Sequence, residues 1–186
     1  SSNKRSWTDV RLKKLTAGFR AAIRGKCAGL VTQLYLVEKP ETPLSAFADK
    51  TYFKVYMSDV GLLRVKSGIS SEAVLNETDT FCRYKGAFAE NYVLNELRAL
   101  GKDPCFWRSG NTAEVDFIYE DKENIIPVEV KAADNTQAKS YKQYCKKYLP
   151  AVGFKISSKN IAEKDLEGTR TISLPAYMGW SLETYY

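Results

Sequence analysis

Apolar and polar positions along this chain repeat with two periods, and the changes of period divide it into elements. Over residues 8–29, Leu12, Leu15, Phe19 and Ile23 keep helical spacing behind Asp9 as an N-cap, with Gly25 and Gly29 as stop signals. Residues 30–37 (LVTQLYLV) are β-prone, a Pro-containing loop covers 39–44, and residues 51–57 (TYFKVYM) alternate as a second strand. A helix followed by a hairpin is a winged-helix-like outline, and a plain structural appendage has the same outline. Residues 58–63 read as a turn into a short helix, and residues 67–79 as a loop or frayed helix.

The second part is more regular. Residues 85–100 form the best helix, ended by Gly101. Three strand-like runs follow, 105–108, 113–120 and 125–132, the last two joined by a turn at 121–124. Residues 135–149 are helical up to Pro150, and 151–157 and 171–174 are short strands. The order from residue 85 is α-β-β-β-α-β-β, an α/β (α+β) layout with a mixed sheet flanked by helices. The expected division is a helix–hairpin and linker segment over 1–65 and a second domain over 66–186.

Strand side chains alternate faces, which groups the residues that carry chemistry. On 113–120, Val115, Phe117 and Tyr119 are expected on one face and Glu114, Asp116 and Ile118 on the other. On 125–131, Ile126, Val128 and Val130 oppose Pro127, Glu129 and Lys131. A hairpin in register brings Asp116 close to Glu129 and Lys131. Two carboxylates and a main-chain carbonyl on adjacent strands make a hard-oxygen site for Mg²⁺ or Mn²⁺, with Lys131 beside the reacting phosphate. Glu90 shares a helix face with Val93, Leu94 and Leu97, so burial of that face demands a partner or a metal for it. A Glu-x-Lys on a strand is also the pattern of an ordinary cross-strand ion pair, and Glu90 also fits the edge of the apolar stripe.

Composition narrows the chemistry. The chain has no histidine, which excludes a Ser-His-Asp triad, a Cys-His dyad and imidazole metal ligation. Carboxylates, lysine or a metal must carry any catalysis. Cys27, Cys82, Cys105 and Cys145 form no CxxC pair, so a zinc knuckle or redox motif is not expected. A net charge of +6 suits an anionic partner, DNA first, although a basic soluble surface produces the same balance. Arg108 is placed to hold a phosphate or an acid of the site. Lys139 and Lys142, with Lys146 and Lys147, charge one helix as a nucleic-acid contact or a solvated face. Tyr141, Tyr144 and Tyr148 at helical spacing read as core. No apolar run is long enough to span a bilayer and no signal peptide is evident, so the expected setting is a reducing cytoplasm. The first residue is not Met, so the chain is expected to be a piece of a longer protein.

Several motifs together resemble a known family. Residues 52–63 (YFKVYMSDVGLL) are similar to the entry motif of a domain of unknown function that forms the C-terminal part of many prokaryotic AAA-type ATPases. Residues 85–93 (KGAFAENYV) resemble its first nuclease-like helix. Trp107-Arg108, AEVDF at 113–117 and VEVK at 128–131 resemble its central hairpin. The resemblance runs from about residue 30 to 175. It implies a restriction-endonuclease-like fold of the PD-(D/E)xK superfamily, in which Glu90, Asp116, Glu129 and Lys131 match the active-site positions. It also implies a parent protein with an N-terminal P-loop ATPase, whereas this chain has no GxxxxGK[ST] motif. Val115, where the superfamily pattern has proline, is a departure.

Three functions follow from these readings. One is a metal-dependent nuclease-like module acting on DNA. Another is a non-catalytic module that holds DNA or a protein for the ATPase. The third is a purely structural oligomerisation domain.

Overall fold

A computed structural model describes residues 9–11, 28–110, 113–132 and 138–186. Within them the strands are β1 (Asp9–Arg11), β2 (Val31–Val37), β3 (Ala48–Met57), β4 (Cys105–Ser109), β5 (Ala113–Asp121), β6 (Asn124–Lys131), β7 (Val152–Ser157), β8 (Ala162–Leu166) and β9 (Thr169–Pro175). They form one mixed sheet in the order β1-β3-β2-β4-β5-β6-β7-β9-β8. The helices are α1 (Leu44–Phe47), α2 (Val60–Lys66), α3 (Ser71–Leu75), α4 (Asp79–Ala99) and α5 (Lys139–Tyr148), with a final 3₁₀ helix, Ala176–Tyr185. The expected class, a mixed sheet flanked by helices, is the one found. Among the described residues no helix is long and apolar enough to cross a membrane.

The sheet is covered on both faces. On one, Val93, Leu94 and Leu97 of α4 pack against Leu34, Phe106, Phe117, Val128, Phe154 and Leu174. On the other, Tyr141, Tyr144 and Cys145 of α5 pack against Trp107, Val115 and Ile118. Trp107 is fully buried with its ring centroid 5.1 Å from that of Tyr144. The α5 tyrosines therefore fill the core, as their spacing indicates.

Helix α4 starts at Asp79, earlier than the apolar pattern places it. Phe81 and Phe88 bury against Ile69, a small separate cluster that the polar composition of 67–79 conceals. The helix ends as Gly101 predicts. Its N–H reaches the Arg98 carbonyl at 3.0 Å, and Lys102 N–H reaches that of Leu97 at 3.0 Å. That double bond pattern needs the φ of +74° that Gly101 adopts.

One expectation needs correction at the N-terminal side. Residues 9–11, assigned to a helix, instead run antiparallel to β3, with Asp9 opposite Lys54. Pairing with an open strand edge satisfies backbone groups that the first turn of a helix leaves orphaned. The rest of that expected helix up to residue 27 lies outside the described residues. The β2–β3 hairpin joins the same sheet as the later strands. β2 pairs parallel with β4, and Leu36 and Tyr56 share a core with Phe106 and Phe117. The segments before and after residue 65 thus share one sheet.

Asn91 fastens α4 to the hairpin. Its side chain accepts from Met57 N–H and donates to Met57 C=O, both at 2.8 Å, and it is 1% exposed. Asn91→Ala strands both backbone groups in the interior, at a cost of about 2 kcal/mol in urea unfolding. Unchanged stability would show that the amide is not a fastening.

Candidate active site

The site begins at an irregularity in β5. Against β4, Cys105 faces Ile118 and Trp107 faces Val115, so three steps on β5 match two on β4. The extra residue is a bulge at 116–117. Ala113, Val115 and Ile118 consequently lie on the α5 side, while Phe117 and Tyr119 lie under α4. Strict alternation, which groups Val115 with Phe117 and Asp116 with Ile118, is overturned there. The expected alternation of β6 holds: Ile126, Val128 and Val130 are in the α4 core, with Glu129 and Lys131 on the opposite face.

The bulge also parts β5 from β6. Their ladder runs from Asp121–Asn124 to Phe117–Val128 and stops. Beyond it the Asp116 carboxylate reaches across, and its Oδ2 accepts from Val130 N–H at 2.7 Å. A side chain takes the place of a strand carbonyl. Glu90 enters from α4, where its Oε2 accepts from the Tyr56 hydroxyl at 3.0 Å. Glu129 is 3% exposed; its Oε1 meets Lys131 Nζ at 2.6 Å, and its Oε2 is buried without a hydrogen-bond partner among the described residues. The four residues singled out by their pattern, Glu90, Asp116, Glu129 and Lys131, thus act on one another's charge around the parted ladder.

Two further residues that the sequence pattern does not place in the site, Lys54 and Glu114, complete the cluster together with Arg108. Lys54, 3% exposed on β3, meets Glu114 Oε1 at 2.5 Å. Arg108 grips the other oxygen of Glu114 through Nε at 2.9 Å and through Nη2, and also donates to the Tyr52 hydroxyl. Arg108 therefore holds an acid here. The available signal was Lys54 itself, a cation between Tyr52 and Tyr56 on the inward face of an alternating strand. The α5 lysines stand elsewhere: Lys142 pairs with Glu167 at 2.9 Å, and Lys139 is exposed on the first turn.

Crowding sets the protonation. Burial, then the Asp116 charge, pushes Glu129 up to about 8, against the pull of Lys131. Burial and Asp116 likewise push Glu90 up to about 7, although Lys54 and the Tyr56 hydroxyl oppose them. Burial also raises Asp116, against Lys54 and the Val130 N–H. Burial works to raise Glu114 too, but Lys54 and Arg108 outweigh it and hold it below the usual carboxylate range. Near neutral pH the site therefore retains protons on Glu129 and in part on Glu90.

Whether a divalent ion suits this site rests on its donors. Among the described residues no three acid or cysteine side chains are grouped closely enough to hold a metal ion. The donor chemistry nevertheless fits a hard cation: carboxylate oxygens only, one of them buried and unpartnered on Glu129. Raised carboxyls that release protons on ligation also suit a cation. Asp116, Glu129 and Glu90 would hold it after a side-chain adjustment.

Comparison with curated proteins gives no match, nor does comparison with solved structures. Residues 85–177 match the family described as a domain of unknown function, DUF4143, a stretch that starts in α4 and takes in Glu90, Asp116, Glu129 and Lys131 but leaves out Lys54. The match covers half of the 186 residues, so the chain belongs to the DUF4143 family.

Proposed function

We propose that this chain is a nuclease-like module of PD-(D/E)xK type that hydrolyses DNA phosphodiesters with Mg²⁺ or Mn²⁺, as the C-terminal part of a cytoplasmic AAA-type ATPase. The parted β5–β6 ladder carries this reading. It sets Asp116 across from the strand that bears Glu129 and Lys131, with a buried Glu129 oxygen that has no partner among the described residues. When bound, the ion would polarise a phosphate oxygen and an attacking water. Val130 N–H fixes the Asp116 carboxylate, and the Tyr56 hydroxyl fixes that of Glu90. Lys131 steadies Glu129 and offsets charge that builds on phosphate. Buried thiols at Cys105 and Cys145 suit a reducing compartment.

The test is cleavage of single- and double-stranded DNA with Mn²⁺, Mg²⁺ or EDTA. Lys131→Ala and Asp116→Asn are expected to lower the metal-dependent rate at least about a hundredfold. Equal rates in variant and wild type would remove the reading.

One observation favours a second reading, a non-catalytic module that holds DNA or a protein for the ATPase. Lys54 and Arg108 both pair with Glu114 and Lys131 pairs with Glu129, so two of the cluster's carboxylates are already held by cations rather than open to a metal. That reading predicts DNA affinity that falls with salt, and no cleavage by the wild type.

A further inference from the structure

Lys131 belongs to two places at once. Its ammonium meets Glu129, and the residue also lines a cavity of about 350 Å³. The cavity lies at the carboxyl ends of β6, β7 and β9, neighbours that run parallel. In open α/β sheets this crevice is where ligands collect. Val130 and Ile156 form an apolar floor, and Ser157 and Ser158 add hydroxyls. The Ser157 oxygen accepts from Lys159 N–H at 3.2 Å, and a hydroxyl can donate as well as accept. Tyr177, on the first turn of the 3₁₀ helix, lines the cavity and is 69% exposed.

We infer that this cavity receives one unpaired nucleotide of a single-stranded DNA segment or end, its base against the floor and Tyr177 and its phosphate toward Lys131. The inference rests on the nuclease-like reading, because Lys131 ties the cavity to the carboxylates. Apolar floor, aromatic ring, hydroxyls and a cation together match a base with its phosphate. The volume is at the low end of the roughly 300–1,000 Å³ of small-ligand pockets, which admits one nucleotide and not a duplex. The surplus of cations over acids on the chain, +6, attracts a polyanion.

The experiment is fluorescence anisotropy in EDTA with a labelled single strand, a blunt duplex, a duplex with an unpaired overhang, and the mononucleotide dTMP as competitor. The single strand and the overhang are expected to bind at least about tenfold more tightly than the blunt duplex. Tyr177→Ala is expected to weaken single-strand binding about 5- to 100-fold, with Tyr177→Phe restoring it, the range that loss of one stacked base implies. Equal binding of blunt duplex, no change in Tyr177→Ala, or binding of dTMP without binding of strands would each overturn the inference. Cleavage with Mn²⁺ is scored separately. Cleavage without strand preference sinks the cavity and spares the nuclease reading, whereas strand preference without cleavage does the reverse.

Discussion

Gly153→Ala is expected to destabilise the protein by about 3 kcal/mol, a large share of the roughly 5–15 kcal/mol that holds a domain folded. A Cβ at this position would lie 2.3 Å from the Tyr141 hydroxyl and 2.9 Å from Pro127 Cγ. Neither neighbour has room to give. Tyr141 is fully buried in α5, with its hydroxyl 3.3 Å from that of Thr171, and Pro127 belongs to the adjacent strand. Gly153 sits in β7 next to β6, so the collision would push the two strands apart close to Glu129. Tyr141→Phe removes the nearer obstacle, and the double variant Gly153→Ala, Tyr141→Phe is expected to recover part of the loss. A non-additive cycle of this sort, read by urea unfolding, distinguishes a local collision from a general effect of alanine in a strand. Additive effects would discard the explanation.

Unfolding free energy is expected to fall as pH rises from about 5 to 9, by on the order of several kcal/mol. Burial among like charges holds Glu90 at about 7 and Glu129 at about 8, both above the ordinary 4.5 of a glutamate. Between those limits the folded chain binds more protons than the unfolded one. This stability is therefore complete below the unfolded value and is lost as pH climbs through 7 and 8. Glu129→Gln mimics the protonated side chain. It should match the wild type near pH 5 and exceed it in stability at pH 9. A divalent cation at pH 9 should restore wild-type stability and leave Glu129→Gln largely unaffected, since a folded-state ligand stabilises by mass action. Stability that rises through the window would contradict this account of the cluster.

The sequence made some of this legible and hid the rest for identifiable reasons. Gly101, the polar turn before Asn124, and the alternation of residues 126–131 are local signals, and each is realised. The placement of Glu90 beside Val93 and Leu94 was equally local, because helix periodicity alone sets it. The bulge at 116–117 is not encoded in β5 by itself; it arises from the count of residues against β4. Lys54 meets Glu114 across sixty positions of chain, beyond the reach of any periodicity. Strand β8, AEKDL, is mostly exposed and pairs through its backbone with β9, so it carries no apolar alternation to announce it. Helix α4 began early because Phe81 finds Ile69, a contact between segments that look polar in isolation.

The parted ladder also turns one backbone group into an indicator. Along β6, Val130 N–H is held by a carboxylate, whereas the ladder that ends at Val128 is built from main-chain groups whose charge never changes. Whatever alters Asp116, whether a proton, a cation or a phosphate nearby, is felt first at that amide. Its proton resonance is expected to move with the site's charge state, which makes the main chain a reporter of it.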